Sequence, residues 1–464
     1  MASLRVGLAG LTFALFWLLS HHLNTAQLGG FSLLMNTFFM IQFLPVLGMT
    51  MPLIRRVAAE PETAALESSN SFFFALPIAA ALGAAVASVG FWYDEEGLGL
   101  PFALLGLSML PTAWTVVAEC ILIGRERVHG IAGVNLLEAM GRLIGAWFAI
   151  RWNVGLTGVF VVFACMRCAA ALAYLLNPHL PAPTWTQVKR AALRSYLSQA
   201  PTYLSLTVVT GLCARVDIIL LSKLLSLRDA GIYAAAARLS DAALMVPTMA
   251  AIVIFPTQSR LFAEDRAGFA RLLEHAVRWS LIAGFAMALL VVAVSPALIH
   301  RIYTSNLSQS SSLLQILILG SAVMVVDQLL STTMLAAEAQ HADLRSMSIG
   351  LVVLTLLLVV FTQMFGLLGA AIAPPVAVLT RVLYRLHWAE GELSSPFIPM
   401  AMRVLLAAGA ATSILFLRFS SIEWIDAVLA FSVYGAMLWA TRAVHITDLT
   451  ALRNFMDQRR GSRA

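Results

Sequence analysis

The sequence contains few charged residues: 12% of its 464 residues are Asp, Glu, Lys or Arg, whereas 60% are apolar. An ordinary soluble domain carries about 25% charged residues. A soluble chain this poor in charge would expose large apolar patches and aggregate, so the composition excludes an ordinary soluble protein. The net charge is +6. Because basic residues set membrane topology, the positions of these residues matter more than their sum, and we do not take the charge as a sign of nucleic-acid binding.

Cysteine and catalytic motifs are also scarce. Cys165 and Cys168 are spaced as CxxC, while Cys120 and Cys213 stand alone. No histidine or second cysteine pair lies nearby, so we interpret all four as small packed residues and not as metal or redox ligands. The motifs of zinc peptidases, serine hydrolases and nucleotide-binding proteins are missing in a suitable context. We therefore expect no enzymatic activity, no cofactor and no ATP-driven transport by this chain alone.

The sequence is instead rich in apolar blocks of roughly 20 to 25 residues, the length that crosses a bilayer core about 30 Å thick. We predict an all-α membrane protein with about fourteen transmembrane helices, or about twelve if some blocks are interfacial. The first block lacks a cleavage site and is interpreted as a retained span. The predicted spans are Leu4–Leu23, Leu28–Pro52, Phe72–Tyr93, Leu100–Ile123, Ile131–Arg151, Leu156–Leu176, Tyr196–Leu225, Ala230–Pro256, Trp279–Tyr303, Leu313–Ala336, Ser348–Phe365, Leu367–His387, Ile398–Leu417 and Trp424–Ala443.

The basic residues indicate the orientation. If the N-terminus is cytoplasmic, the outer loops contain only Arg151, Lys223, Arg228, Arg301 and Arg418. This asymmetry follows the positive-inside rule and predicts that both termini are cytoplasmic. The inner segment 260–278 has an apolar helical face, and we expect it to lie in the headgroup region, either as a surface helix or as a short linker helix.

A repeat relates the second and eighth spans. Three pairs of similar residues are each 202 positions apart, namely Gly29 and Gly231, Phe31 and Tyr233, and Pro45 and Pro247. Because six spans separate the two segments, the halves run in the same direction, which predicts a parallel repeat about an axis along the membrane normal. We predict an N-terminal six-helix lobe at 1–185, a C-terminal six-helix lobe at 186–390, and an extra helix pair with a basic tail at 391–464.

Charged side chains inside the predicted spans are the candidate functional residues, because each costs roughly 2.5–3.5 kcal/mol at the bilayer centre. The candidates chosen among them are Glu138, Arg142, Arg167, Arg215, Asp217, Arg238, Asp241 and Asp327. Glu138 and Arg142 are four positions apart, which favours a structural ion pair over substrate contact. Arg167 either pairs with another helix or faces a cavity.

Arg215 and Arg238 lie about ten residues from the same outer turn, and therefore about 15 Å deep. Asp217 and Asp241 lie at similar depths. The four residues form either a buried interhelical network or the wall of an anion-binding cavity, since arginine binds phosphate through two parallel hydrogen bonds. Asp327 either carries a coupling ion or pairs with a neighbouring arginine.

Residues 215–260 combine a membrane aspartate, a short turn ending in AGIY, and a small-residue helix that runs to a proline. Together with LGGFS at 28–32 and LGAAIA at 368–373, this stretch resembles the polysaccharide exporter and O-antigen (lipid-linked oligosaccharide) flippase family of the MOP (MATE-like) superfamily. The resemblance implies two six-helix bundles that alternate access to a central cavity. It makes Arg215, Arg238 and Asp241 candidates for binding a lipid-linked pyrophosphate. The sequence departs from related transporters in its first span, which carries no charge beyond Arg5 at its start.

The resemblance implies a flippase that moves undecaprenyl-pyrophosphate-linked oligosaccharide across the bacterial inner membrane for surface polysaccharide biosynthesis, either O-antigen or exopolysaccharide. Its expected partners are the lipid-linked oligosaccharide, the bilayer, a polysaccharide polymerase and glycosyltransferases. The alternative is a cation-coupled small-molecule antiporter of the same superfamily, which would use Asp217, Asp241 or Asp327 to couple cations.

Overall fold

The protein is helical throughout the part described by the computed structural model, which comprises residues 2–93, 96–393, 397–417, 423–441 and 443. No strand occurs within these ranges. The predicted basic tail lies outside them. The α-helices are α1 Ala2–His22, α2 Thr25–Ile41, α3 Thr50–Ala59, α4 Ala64–Val89, α5 Gly99–Leu107, α6 Met109–Gly124, α7 Val128–Arg151, α8 Gly155–Leu175, α9 Arg190–Leu224, α10 Leu227–Glu264, α11 Arg266–Ile302, α12 Ser310–Ala336, α13 Gln340–Leu393, α14 Phe397–Leu417 and α15 Glu423–Ala440.

The helices account for the predicted membrane spans. Among the described residues, 9 helical segments are long and apolar enough to cross a membrane, and α15 is a shorter apolar helix. The other predicted spans fall on further helices, including α7 and α10, whose charged residues lower their hydropathy. The predicted fold class, an all-α membrane protein with about fourteen spans, is confirmed.

The second predicted span is not one continuous helix. After α2, a 3-10 turn occupies Leu44–Val46, and α3 starts at Thr50. Pro45 cannot donate a backbone hydrogen bond to an α-helix, which favours the break at this point. Leu47 and Gly48 follow with positive φ angles of 47° and 70°. A side chain on Gly48 would overlap the backbone of Tyr203, so this glycine is also required for the close packing of α9.

A turn inside α13 separates the eleventh and twelfth predicted spans. Gly366 has φ 60° and ψ −137°, which are not helical values. Glycine adopts such a conformation without steric cost, and other residues do so rarely. Residues 340–365 and 367–393 are therefore two helices joined by the single-residue loop that the sequence predicts.

Segment 260–278 is predicted as a helix in the headgroup region, either a surface helix or a short linker helix. It contains the end of α10 and the beginning of α11, which continues without a break to Ile302. Phe269, Leu273 and Val277 on its apolar face are fully buried. The apolar face is therefore covered by protein, so packing between helices accounts for the amphipathic pattern. The position of the segment at the headgroups stays a prediction.

Two compact units divide the chain. Unit 1 contains Met1–Arg238, Arg301–Gln309 and Thr355–Ala370. Unit 2 contains Leu239–His300, Ser310–Leu354 and Ala371–Ala464. The lobes at 1–185, 186–390 and 391–464 remain a prediction.

The two glycines that define the repeat contact each other inside unit 1. A Cβ atom on Gly29 would lie 2.9 Å from the nitrogen of Gly231, and a Cβ on Gly231 would lie 3.0 Å from the nitrogen of Gly29. Each hypothetical Cβ would also overlap a carbonyl oxygen of the opposite helix, that of Leu227 or Thr25 respectively. A reciprocal contact of this kind is what a two-fold relation produces, and it agrees with the parallel repeat inferred from the 202-residue spacing.

Replacing Gly29 with valine is expected to lower the thermal unfolding midpoint of the purified protein. The added side chain would force the backbones of α2 and α10 apart, and overpacking of this type costs about 1–3 kcal/mol or more. Gly10→Val is the matched control, because Gly10 lies in α1 and a Cβ atom added there would meet no other atom within 4 Å. Equal midpoints for the two variants would contradict the close contact.

Candidate functional site

A cavity lies within unit 1, among helices that cross the membrane. The space among its lining atoms is about 650 Å³, including the part that is open to solvent. Five helices of the unit contribute to its wall: α1, α2, α7, α8 and the first part of α10. The lining residues are Leu11, Thr12, Leu15, Phe16, Phe31, Met35, Phe39, Ala139, Arg142, Val159, Phe160, Phe163 and Arg238.

Helical spacing explains why these side chains reach the same space. Phe31, Met35 and Phe39 are four residues apart on α2, so they lie along one face of the helix. The contributions of α1 and α8 show the same three- and four-residue spacing, as in Phe160 and Phe163. The wall is therefore mainly aromatic and aliphatic, and its polar groups stand out against it.

The charged side chains in the lining are Arg142 and Arg238. The guanidinium carbon of Arg142 lies 4.4 Å from the ring centroid of Phe163. That of Arg238 lies 5.7 Å from the ring centroid of Phe16. Cation–π contacts of this kind hold a guanidinium group against an apolar wall.

Behind Arg142 lies the carboxylate of Glu138, which is only 7% exposed. Arg142 donates a hydrogen bond to Oε1 of Glu138. Arg167 on α8 donates from Nη1 to both carboxylate oxygens, at 3.1 and 3.2 Å. The ion pair predicted from the four-residue spacing is thus present, and Arg167 joins it from another helix.

Arg215 lies one side chain away from the cavity. Its Nη1 donates to Oδ1 of Asn36 at 3.2 Å, and its guanidinium carbon lies 5.5 Å from the ring centroid of the lining residue Phe39. Asp217 accepts a hydrogen bond from the hydroxyl of Tyr233 at 2.8 Å. These two predicted residues therefore contact the helices that form the wall, and they lie outside the lining itself.

The two remaining predicted aspartates belong to unit 2. Asp241 is exposed. Asp327 is 6% exposed; it accepts a hydrogen bond from Nη2 of Arg381 at 2.7 Å and another from Arg385. Arg385 in turn lies 2.7 Å from a carboxylate oxygen of Asp343. Of the two alternatives for Asp327, this geometry fits the pair with arginine.

Sequence reasoning missed the place of Arg142 in the cavity, because its pairing with Glu138 explained it fully. It also missed the phenylalanines of the wall. The signal was available in α2, where Phe31, Met35 and Phe39 follow a four-residue spacing beside the polar residue Asn36. A helix face that combines aromatic residues with a polar neighbour is a reasonable candidate for a cavity wall.

Solved structures with a similar fold are membrane transporters. A structure described as "Lipid II flippase MurJ, inward closed conformation" matches with a TM-score of 0.71 and 15% identity, over 97% of this chain and 98% of that one. An inward-facing multidrug resistance MATE family transporter of the MOP superfamily matches with a TM-score of 0.68 and 13% identity, over 83% and 94%. An outward-facing multidrug resistance MATE family transporter matches with a TM-score of 0.57 and 14% identity, over 85% of this chain and 94% of that one. At such identities the likeness establishes the fold.

A search of curated protein sequences found no match. Comparison of the sequence with profiles of protein families gives a more specific result. Residues 2–262 match the profile of the family described as "Polysaccharide biosynthesis protein". This region covers more than half of the chain and includes every residue of the cavity wall. The chain is therefore a multi-pass membrane protein of the polysaccharide biosynthesis protein family, with the fold of the MOP superfamily.

Proposed function

We propose that the protein is a flippase that moves undecaprenyl-pyrophosphate-linked oligosaccharide from the inner to the outer leaflet of the bacterial inner membrane by alternating access. The product would serve the synthesis of a surface polysaccharide such as O-antigen or exopolysaccharide. The observation that carries the proposal is the cavity in unit 1, where Arg142 and Arg238 line an otherwise largely apolar wall. Membership of the polysaccharide biosynthesis protein family supports it.

The chemistry of the cavity suits a pyrophosphate. A guanidinium group stays ionised and can present two parallel N–H donors to phosphate oxygens. Its attraction for an anion is also stronger in a wall of low dielectric constant than in water. In this proposal the pyrophosphate binds beside the two arginines, while the long polyprenyl tail stays in the bilayer.

The other predicted residues have supporting places in this proposal. Arg167 and Arg215 stabilise the wall through Glu138 and Asn36 respectively. Asp217 and Asp241 remain candidates for contact with substrate or a coupling ion. Energy would come from an ion gradient or the membrane potential. The excess of basic residues in one set of loops favours cytoplasmic termini.

Deleting the gene is expected to cause lipid-linked oligosaccharide to accumulate in the inner leaflet, with loss of surface polysaccharide. The lipid-linked pool can be extracted and quantified, and its leaflet tested by the access of an impermeant glycosidase in intact spheroplasts. A strain that also lacks the first glycosyltransferase is the control and should accumulate nothing. An unchanged pool with normal surface polysaccharide would contradict the proposal.

The alternative function, a cation-coupled antiporter for small molecules, is supported by the likeness to MATE transporters. The cavity favours it less, because the described lining contains two arginines and no carboxylate, which repels a cationic drug. Resistance to cationic compounds on overexpression, without any change in surface glycan on deletion, would favour the antiporter.

A further inference from the structure

The network behind the cavity wall contains two guanidinium groups that share one carboxylate. Arg142 and Arg167 both donate to Glu138. A second carboxylate nearby, that of Glu119, accepts a hydrogen bond from the hydroxyl of Tyr174 at 3.2 Å and has Asn135 as another hydrogen-bond partner. The described hydrogen bonds from both arginines go to Glu138, and Arg167 also interacts electrostatically with Glu119.

The two arginines are held very differently. Arg167 also donates from Nη2 to the hydroxyl of Thr115 at 2.5 Å and from Nε to the hydroxyl of Thr112 at 3.3 Å. With its contacts to both oxygens of Glu138, its guanidinium group is fixed on three sides. Arg142 donates only to Oε1 of Glu138, and its buried Nε has no hydrogen-bond partner among the described residues.

The less firmly held arginine is the one that reaches the cavity. Arg142 lines the cavity wall, whereas Arg167 does not. If Arg142 turns towards an anion in the cavity, Glu138 keeps the two hydrogen bonds from Arg167 and is not left as an unpaired buried charge. Without Arg167, the same movement would strand a buried carboxylate, which is strongly unfavourable.

From this geometry we infer that Arg142 exchanges between Glu138 and the phosphate groups of the substrate, and that Arg167 holds the charge of Glu138 during the exchange. The inference rests on the proposed function. Glu138 then competes with the substrate for Arg142, which weakens binding and assists release. A transporter needs this balance, because a site must bind well enough to load and weakly enough to unload. Glu138 and Arg167 are positioning residues in this scheme.

The two positioning residues have opposite expected effects. Glu138→Gln removes the competing charge, so the substrate should bind about tenfold more tightly and dissociate correspondingly more slowly. Arg167→Met leaves Arg142 as the remaining ion-pair partner of Glu138, so binding should weaken about tenfold. A network that only stabilises the fold would give changes of the same sign in both variants.

The test measures the affinity and dissociation rate of undecaprenyl pyrophosphate for the full-length protein in nanodiscs, alongside its thermal unfolding midpoint. Wild type, Glu138→Gln, Arg167→Met and Arg142→Ala are compared. If Glu138→Gln or Arg167→Met does not fold, a milder variant should change the affinity in the same direction. Glu138→Asp keeps the charge but shortens its reach towards Arg142, and Thr115→Val removes one acceptor that fixes Arg167.

The expected order of affinity is Glu138→Gln above wild type, then Arg167→Met, then Arg142→Ala. Changes of the same sign in the Glu138 and Arg167 variants would overturn the exchange while leaving the proposed site intact. Equal binding by wild type and Arg142→Ala would show instead that the cavity does not hold pyrophosphate, and would overturn the proposed site as well.

Discussion

Replacing Arg238 with alanine is expected to lower surface polysaccharide at least tenfold without reducing the amount of protein in the membrane. Arg238 is one of two cations in the described cavity wall. A hydrogen bond to a charged group contributes about 1.5–3 kcal/mol, so its loss should weaken pyrophosphate binding about 10–100-fold. The measurements are surface polysaccharide on gels and protein level by immunoblot.

The controls for this prediction come from the same helix and its neighbour α9. Arg228 is exposed near the beginning of α10 and lies outside the cavity lining, so Arg228→Ala should leave export unchanged. Arg215→Ala should reduce export less than Arg238→Ala, because Arg215 contacts the wall residue Phe39 from outside the lining. Normal polysaccharide in the Arg238→Ala strain would rule out the cavity as the substrate site.

Replacing Asp327 with alanine is expected to destabilise the protein and to reduce its level in the membrane. Asp327 accepts hydrogen bonds from Arg381 and Arg385, and Arg385 is only 1% exposed. Removing one partner of a buried ion pair typically costs about 3–5 kcal/mol, because the opposite charge stays buried. The checks are the immunoblot level and the thermal unfolding midpoint of the purified protein.

An exposed ion pair of the same unit provides the control. Asp265 and Arg271 are 51% and 73% exposed and 3.9 Å apart, and such pairs contribute about 0–1 kcal/mol. Arg271→Ala, which removes the more exposed partner, should therefore have no detectable effect on stability. Asp327→Asn separates the two alternatives for this aspartate. A stable variant that has lost export would favour ion coupling, whereas an unstable one would favour a structural pair.

The charged networks of the two units differ in a way that explains these expectations. In unit 2, Arg381 and Arg385 are matched by the two carboxylates of Asp327 and Asp343. A balanced network of this type has no need of a ligand. In unit 1, two arginines converge on Glu138, and one of them borders a cavity. The cavity gives an anion access to this network, which is why the functional proposal concerns unit 1.

The sequence by itself determined the membrane helices and the points where they turn. Apolar blocks of the correct length must become helices in a bilayer, because no water is present there to satisfy the backbone. Gly366 marked a turn between two spans, and the repeated pair Gly29 and Gly231 marked a close contact between helices. These features depend on local composition and backbone conformation, which can be inferred from neighbouring residues.

Only the tertiary structure decided which charges reach the cavity. Residue position along a helix gives the depth of a side chain, but not the rotation of the helix against its neighbours. Depth alone placed Arg215 and Arg238 together, whereas packing put Arg238 in the lining and Arg215 behind Phe39. Packing likewise placed Arg142 in the cavity wall in addition to its pairing with Glu138. It also brought Arg167 on α8 to the same carboxylate from a distant part of the chain.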